Sequence, residues 1–188
     1  MLKKDARKLY NQKRKEISYA DRMKWDDLIL INFQTIEMPF LDAVFSFYPM
    51  EERNEVNAFL LTDYLHFRNL SVQICYPKMA IKEPNMEAVA CKADTVFEAN
   101  EINILEPVET TVVPPEEIDL VLVPMLVCDV RGNRVGYGKG YYDRYLSRCN
   151  PGCIKVGLSY FEPIDVVDDA DEFDVALNFC ITPQKAYV

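Results

Sequence analysis

The sequence predicts an α/β protein of three layers, α/β/α, around a mostly parallel, Rossmann-like central sheet. Two observations carry this expectation. Helix-forming stretches alternate with short apolar runs that are mostly closed by proline, the pattern of strands joined by crossover helices. A polar, glycine-rich loop then follows the strongest apolar run, the place where ligands sit in parallel sheets.

Residues 3–17 contain no Gly or Pro and are rich in helix formers. Ser18 with Asp21 three residues on resembles a capping box with Asp in place of Glu. It opens a second helix that carries Met23, Leu28 and Ile31 and ends before Pro39. The run LDAVFSFY, residues 41–48, reads as a buried strand stopped by Pro49. A polar turn, MEERN, leads into an amphipathic helix over 55–68, and SVQICY, residues 71–76, is a second strand stopped by Pro77. Between 78 and 117 the pattern is weaker: 86–92 suits a strand and Leu105-Glu106-Pro107 a turn. Pro114-Pro115 leads to the strand IDLVLVP, 118–124; a short helix over 141–148 and strands over 154–160 and 175–181 complete the chain. The length suits one domain spanning 1–188.

A net charge of −9 and a pI near 4.7 argue against a nucleic-acid binder. No apolar run is long enough for a bilayer, and MLKKDARK lacks the apolar core of a secretory signal, so the expected compartment is the cytoplasm. There the six cysteines are expected as reduced, mostly buried thiols; Cys149 and Cys153 are the only close pair and lack zinc-like spacing. The sole histidine, His66, reads as structural or surface.

The chemistry concentrates in residues 131–144, RGNRVGYGKGYYDR. Gly136, Gly138 and Gly140 give a backbone able to pass through positive φ and approach a ligand closely. Successive N–H groups in such a backbone form an anion nest, to which Arg134, Lys139 and a following helix N-terminus add positive charge. Asp143 stands where a carboxylate can hold Mg²⁺ beside phosphate. The Walker pattern fails because Gly140 follows Lys139, and the dinucleotide fingerprint fails because the spacing is G-x-G-x-G. Alone, the loop supports an anion site and no particular reaction; a surface turn is the plainer alternative.

With its flanks the loop is more specific. Val123-Pro124-Met125, Asp129, Gly132-Asn133-Arg134 and Gly136-Tyr137-Gly138-Lys139-Gly140-Tyr141-Tyr142-Asp143-Arg144 together resemble the signature of the 5-formyltetrahydrofolate cyclo-ligase family. Lys3 and Arg7, Tyr48 and Glu55, Glu106-Pro107 and Asp174 match further family positions in order, so the resemblance spans nearly the whole chain. It implies a cyclo-ligase reaction: ATP and Mg²⁺ drive ring closure of 5-formyltetrahydrofolate to 5,10-methenyltetrahydrofolate, releasing ADP and phosphate. The implied partners are these small molecules, with the protein a monomer or weak homo-oligomer.

The resemblance also implies roles. Lys3, Lys4, Arg7, Arg134, Gly136, Gly138, Lys139, Gly140, Tyr141 and Tyr142 would bind ATP, with Lys139, Arg134 and Tyr141 acting in catalysis. Tyr48, Met50, Glu55, Tyr137 and Tyr141 would face the folate, and Asp143 and Asp174 the magnesium. Read without the family, Lys3 and Arg7 form a solvated basic helix face, Glu55 a helix-N-terminal acid and Asp174 one acid in an acidic stretch. Tyr141 and Tyr142 either stack on a ring or pack the loop. Four positions depart from the family pattern: Met125 replaces Gly, Cys128 an aromatic, Val135 the commoner Leu, and Asn178 an acid four residues after Asp174.

Overall fold

The computed structural model describes residues 1–80, 85–101 and 104–187. In chain order its elements are α1 (Lys3–Lys15), α2 (Tyr19–Gln34), β1 (Ala43–Phe45), α3 (Phe59–Arg68), β2 (Gln73–Ala80) and β3 (Asn85–Cys91). Then come β4 (Phe97–Ala99), β5 (Leu105–Pro107), β6 (Val112–Val113), β7 (Leu120–Pro124), β8 (Val127–Cys128) and β9 (Arg134–Val135). The last four are α4 (Tyr141–Leu146), β10 (Ile154–Leu158), β11 (Phe179–Ile181) and β12 (Ala186–Tyr187).

The main sheet has the order β12-β11-β10-β7-β1-β2-β3-β6. Its centre, β11 to β2, is parallel, and antiparallel strands close both edges, so the expected α/β architecture holds. Side-chain alternation divides the core between two faces. On β7, Leu120 and Leu122 join Ile29 and Phe33 of α2 and Leu61 and Leu65 of α3, while Val121 and Val123 join Tyr145 and Leu146 of α4. Each such buried apolar side chain is worth about 1.5–3 kcal/mol. Helix α1 packs elsewhere: Ala6 and Tyr10 lie on the β8–β9 ribbon against Leu126, Val127 and Val135.

Ser18 caps α2 as predicted, its Oγ accepting from Asp21 N at 3.1 Å. The buried stripe of that helix is Asp26, Ile29 and Phe33, whereas Met23 and Ile31 are exposed. Two strand and turn expectations and one helix start need correction. Pro77 does not stop β2, which runs on to Ala80. Pairing with β1 ends at Cys75, so beyond that point β2 pairs only with β3 among the described residues and is locally an edge, where proline is tolerated. Residues 105–107 are a strand paired with β4, not a turn. The helix expected over 55–68 starts only at Phe59, because Asn54 takes a left-handed conformation (φ 50°) and turns the chain. The weakly patterned stretch 78–117 includes residues 81–84 and 102–103, which lie outside the described residues.

Candidate active site at the carboxyl ends of the parallel strands

A cavity of about 620 Å³ opens where β1, β2 and β7 end, the position that parallel sheets reserve for ligands. It is lined by Lys3, Arg7, Tyr48, Met50, Glu55, Arg134, Gly136, Tyr137, Gly138, Lys139, Gly140, Tyr141, Tyr142, Asp143 and Asp174. Of the residues singled out in the sequence, Lys4 stands apart: it is exposed and does not line the cavity.

Asp129 shapes the glycine-rich loop. Its buried carboxylate accepts from the backbone N–H groups of Arg131, Asn133 and Val167 and from Asn133 Nδ2, at 2.9–3.0 Å. Burial works to raise its pKa, but these hydrogen bonds outweigh that and hold it below the usual carboxylate range. Gly138 and Gly140 have φ of 84° and 69°; Gly136, expected with them, does not. Its carbonyl instead accepts from Arg7 Nε at 2.9 Å, which brings α1 onto the loop. A Cβ on Gly138 would stand 3.0 Å from Arg7 Cζ.

Four cations meet at this end of the cavity. Lys3 pairs with Asp174, and Arg134 with Asp143. Arg134 also donates to the Val175 carbonyl and is only 8% exposed; burial lowers its pKa, and Asp143 and Asp174 oppose that fall. Arg7 is engaged with Gly136, and Lys139 Nζ has no hydrogen bond or ion pair among the described residues. Among the described residues no group of three or more His, Cys, Asp or Glu could hold a metal ion. Asp143 and Asp174 nonetheless fit Mg²⁺ in its usual mode, one or two carboxylates completing an ion held chiefly by phosphate and water. Each has an oxygen, Oδ2 of Asp143 and Oδ1 of Asp174, that accepts no hydrogen bond among the described residues.

The opposite end is apolar. Tyr48 packs against Phe59 and Phe97 at ring-centroid distances of 5.0 and 4.9 Å. Phe47, Pro77, Met79, Met86 and Leu105 complete the wall, and sequence reasoning found none of them as site residues. One carboxylate enters this end. The Asn54 turn folds Glu55 back so that Met50 N donates to its Oε2 at 2.9 Å, and Glu55 is only 6% exposed. Tyr137 donates its hydroxyl proton to Glu55 Oε1 and accepts from Arg14 Nη2 at 2.8 Å. Burial, then the adjacent Glu55 charge, pushes the Tyr137 phenol well up from its ordinary pKa. Arg14 and Arg53 were also missed; both guanidiniums lie over the Tyr137 ring, at 5.5 and 4.8 Å. For Arg14 a signal existed, since it continues the helix face that carries Lys3 and Arg7.

The departures from the family pattern lie behind this site. Met125 is buried with Cys128, Cys180 and Leu177, in space left because residue 157 is Gly: a Cβ there would meet Met125 Cε at 2.7 Å. Asn178 sits in the ladder beside β10, exchanging hydrogen bonds of 2.9 Å with the Lys155 backbone. All six cysteines are free, and four are buried.

A mostly parallel sheet with a mixed cationic and aromatic cavity at its strand ends places the chain among α/β enzymes that bind small molecules. The particular family follows from comparison: the 5-formyltetrahydrofolate cyclo-ligase family profile matches residues 6–183, and the chain belongs to that family. The chain is 30% identical over 183 residues to the 5-formyltetrahydrofolate cyclo-ligase of Mycoplasma genitalium, covering 95% of this chain and 97% of that one. Against the Mycoplasma pneumoniae enzyme of the same name it is 29% identical over 98% of this chain and 100% of the relative. Among solved structures, the 5,10-methenyltetrahydrofolate synthetase of Aquifex aeolicus superposes with a TM-score of 0.80 at 26% identity, covering 100% of this chain and 92% of the other. That of Mycoplasma pneumoniae gives 0.74 at 25% identity, covering 96% and 98%. No helix among the described residues is long and apolar enough to cross a membrane.

Proposed function

We propose that the protein closes the ring of 5-formyltetrahydrofolate to give 5,10-methenyltetrahydrofolate, consuming ATP with Mg²⁺ and releasing ADP and phosphate. The observation that carries this reading is the two-ended cavity, where the cations of α1 and the glycine-rich loop stand beside an aromatic wall with one buried carboxylate. Family membership supports it independently.

At the cationic end, Lys3, Arg7, Arg134 and Lys139 take the triphosphate, and the loop backbone around Gly138 and Gly140 comes close to it. At the aromatic end the folate rings lie against Tyr48 and Met50, with Glu55 accepting from the amino edge of the pterin. Tyr141 and Tyr142 lie at the loop's exit, where both ligands are within reach. The formamide oxygen is a poor leaving group. Transfer of the γ-phosphoryl to it, with ADP leaving, gives an iminium phosphate; N10 attacks the activated carbon and releases its proton to solvent, and the C–O bond breaks with loss of phosphate. Phosphoryl transfer depends on positioning and charge stabilisation, which Arg134 and Lys139 supply from fixed loop positions. Asp143 and Asp174 would hold Mg²⁺, whose contribution is to neutralise phosphate charge. Holding N10 against the carbon adds a proximity advantage of several kcal/mol, within the upper bound of about 7–11.

The test is the growth of methenyltetrahydrofolate absorbance when purified protein meets 5-formyltetrahydrofolate, ATP and Mg²⁺, with controls omitting each. Growth only in the complete mixture is expected. Folded protein that binds ATP without producing absorbance would overturn the reading in favour of a nucleotide-sensing domain.

A further inference from the structure

We infer that Arg14 is a positioning residue for the folate end of the cavity, acting through the Tyr137 hydroxyl on the Glu55 carboxylate. The inference rests on the assignment of Glu55 to folate made above.

Arg14 lies in the last turn of α1 and is 4% exposed. No carboxylate forms an ion pair with it among the described residues, and its buried Nε has no hydrogen-bond partner. Burying a guanidinium this way costs several kcal/mol, and an apolar side chain would fill the space more cheaply. Packing therefore does not explain the residue. Its one side-chain hydrogen bond among the described residues does: Nη2 donates to the Tyr137 hydroxyl at 2.8 Å.

Arginine carries donors only, so the phenol oxygen must accept from it. The single phenolic proton must then go to another acceptor, and Glu55 Oε1 is the one it reaches. The direction of the chain Arg14 to Tyr137 to Glu55 is fixed by the chemistry of its two ends. Met50 N holds the other carboxylate oxygen at 2.9 Å. Both oxygens are thereby anchored on the protein side, which aims the carboxylate at the cavity it lines. The anchor is itself braced. Asn54 Nδ2 donates to the Arg14 carbonyl at 3.0 Å, tying the end of α1 to the turn that delivers Glu55. Tyr160 donates its hydroxyl proton to Asp26 Oδ1 at 2.7 Å, and its oxygen lies 3.2 Å from the Glu55 carbonyl oxygen.

The experiment is a double-mutant cycle on the intact enzyme, using Arg14→Met and Glu55→Gln, with KM for 5-formyltetrahydrofolate, KM for ATP and kcat measured separately. Methionine leaves no charge buried and keeps much of the volume. Arg14→Met is expected to raise the folate KM about tenfold, the size of one charge-assisted hydrogen bond, with ATP KM and kcat within about twofold. In the Glu55→Gln background the same substitution should add nothing, because the group it positions is gone. Arg14→Lys, which keeps a cationic donor, should recover most of the loss.

Additive effects, or equal rises in both KM values, would make Arg14 merely structural and overturn the inference. A folate KM raised by Glu55→Gln but untouched by Arg14→Met would do so too while leaving the folate site where it is. No effect from Glu55→Gln would remove Glu55 from that site and the inference with it. If Arg14→Met proves too unstable to assay, Tyr137→Phe cuts the same link, and non-additivity with Glu55→Gln is again the expected result and additivity the overturning one.

Discussion

At the cationic end of the cavity, Arg134, Gly136, Gly138, Lys139, Gly140 and Asp143 come from one short stretch of chain, whereas Tyr48 reaches the aromatic end from the segment after β1, and Met79, Met86 and Leu105 from β2, β3 and β5. The first end is held by charge: Asp174 against Lys3, Asp143 against Arg134, the Gly136 carbonyl against Arg7. The second is held by packing, with rings meeting at 4.9–5.0 Å and a carboxylate pinned by one N–H and one phenol. The difference teaches where function and stability separate. A partnered cation serves both, so its loss damages both. Lys139 is exposed and has no ion pair among the described residues, so it can be lost without harm to the fold.

The comparison breaks first at Lys139. Lys139→Ala is expected to cut turnover by about 10²–10³-fold, the scale for removing one preorganised charge donor, with no change in thermal midpoint. Arg134→Met would instead lower both, because it strips Asp143 and the Val175 carbonyl of their shared partner. Rates from methenyltetrahydrofolate absorbance and melting curves for the two variants separate the cases. Normal turnover in Lys139→Ala would take that cation out of the chemistry.

A smaller effect tests whether the two ends bind independently. At Gly138 a side chain would be strained by the φ of 84° and would crowd Arg7, at a cost of about 1–3 kcal/mol. Gly138→Ala should therefore raise KM for ATP, by about tenfold, and leave KM for the folate unchanged. Equal rises in both would mean that the loop positions the aromatic wall as well, and the division into two ends would fall.

How much of this was legible in the sequence follows the same division. The cationic end could be read because its residues are contiguous: three alternate glycines with two cations and an acid are a local pattern with a local physical meaning. The aromatic wall could not, because Met79, Met86 and Leu105 become neighbours only through sheet pairing, and periodicity does not report pairing. Pro77 misled for a related reason: its tolerance depends on β1 ending early, a property of another segment. Glu55 was placed at a helix start, yet one left-handed residue, Asn54, moved that start to Phe59 and freed the carboxylate for the cavity. The parallel core was legible because apolar runs such as residues 120–124 are buried on both faces and lack any helical alternative of that length.

The least effect is expected at Asn178, and its smallness is informative. An acid there, four residues after Asp174, would suggest a carboxylate pair shared by one metal ion. The structure brings only Asp174 to the cavity; Asn178 is spent on the sheet, its Oδ1 accepting from Lys155 N and its own N–H donating to Lys155 O, both at 2.9 Å. An aspartate side chain at this position would keep that acceptor and gain no line to the cations. Asn178→Asp should therefore leave the Mg²⁺ dependence of turnover within about twofold, a difference near 0.4 kcal/mol. A clearly lower Mg²⁺ requirement in that variant would bring residue 178 into the ion's surroundings. The metal would then be held by two carboxylates of the segment that leads into β11, and Asp143 of the loop would no longer be the main partner of Asp174.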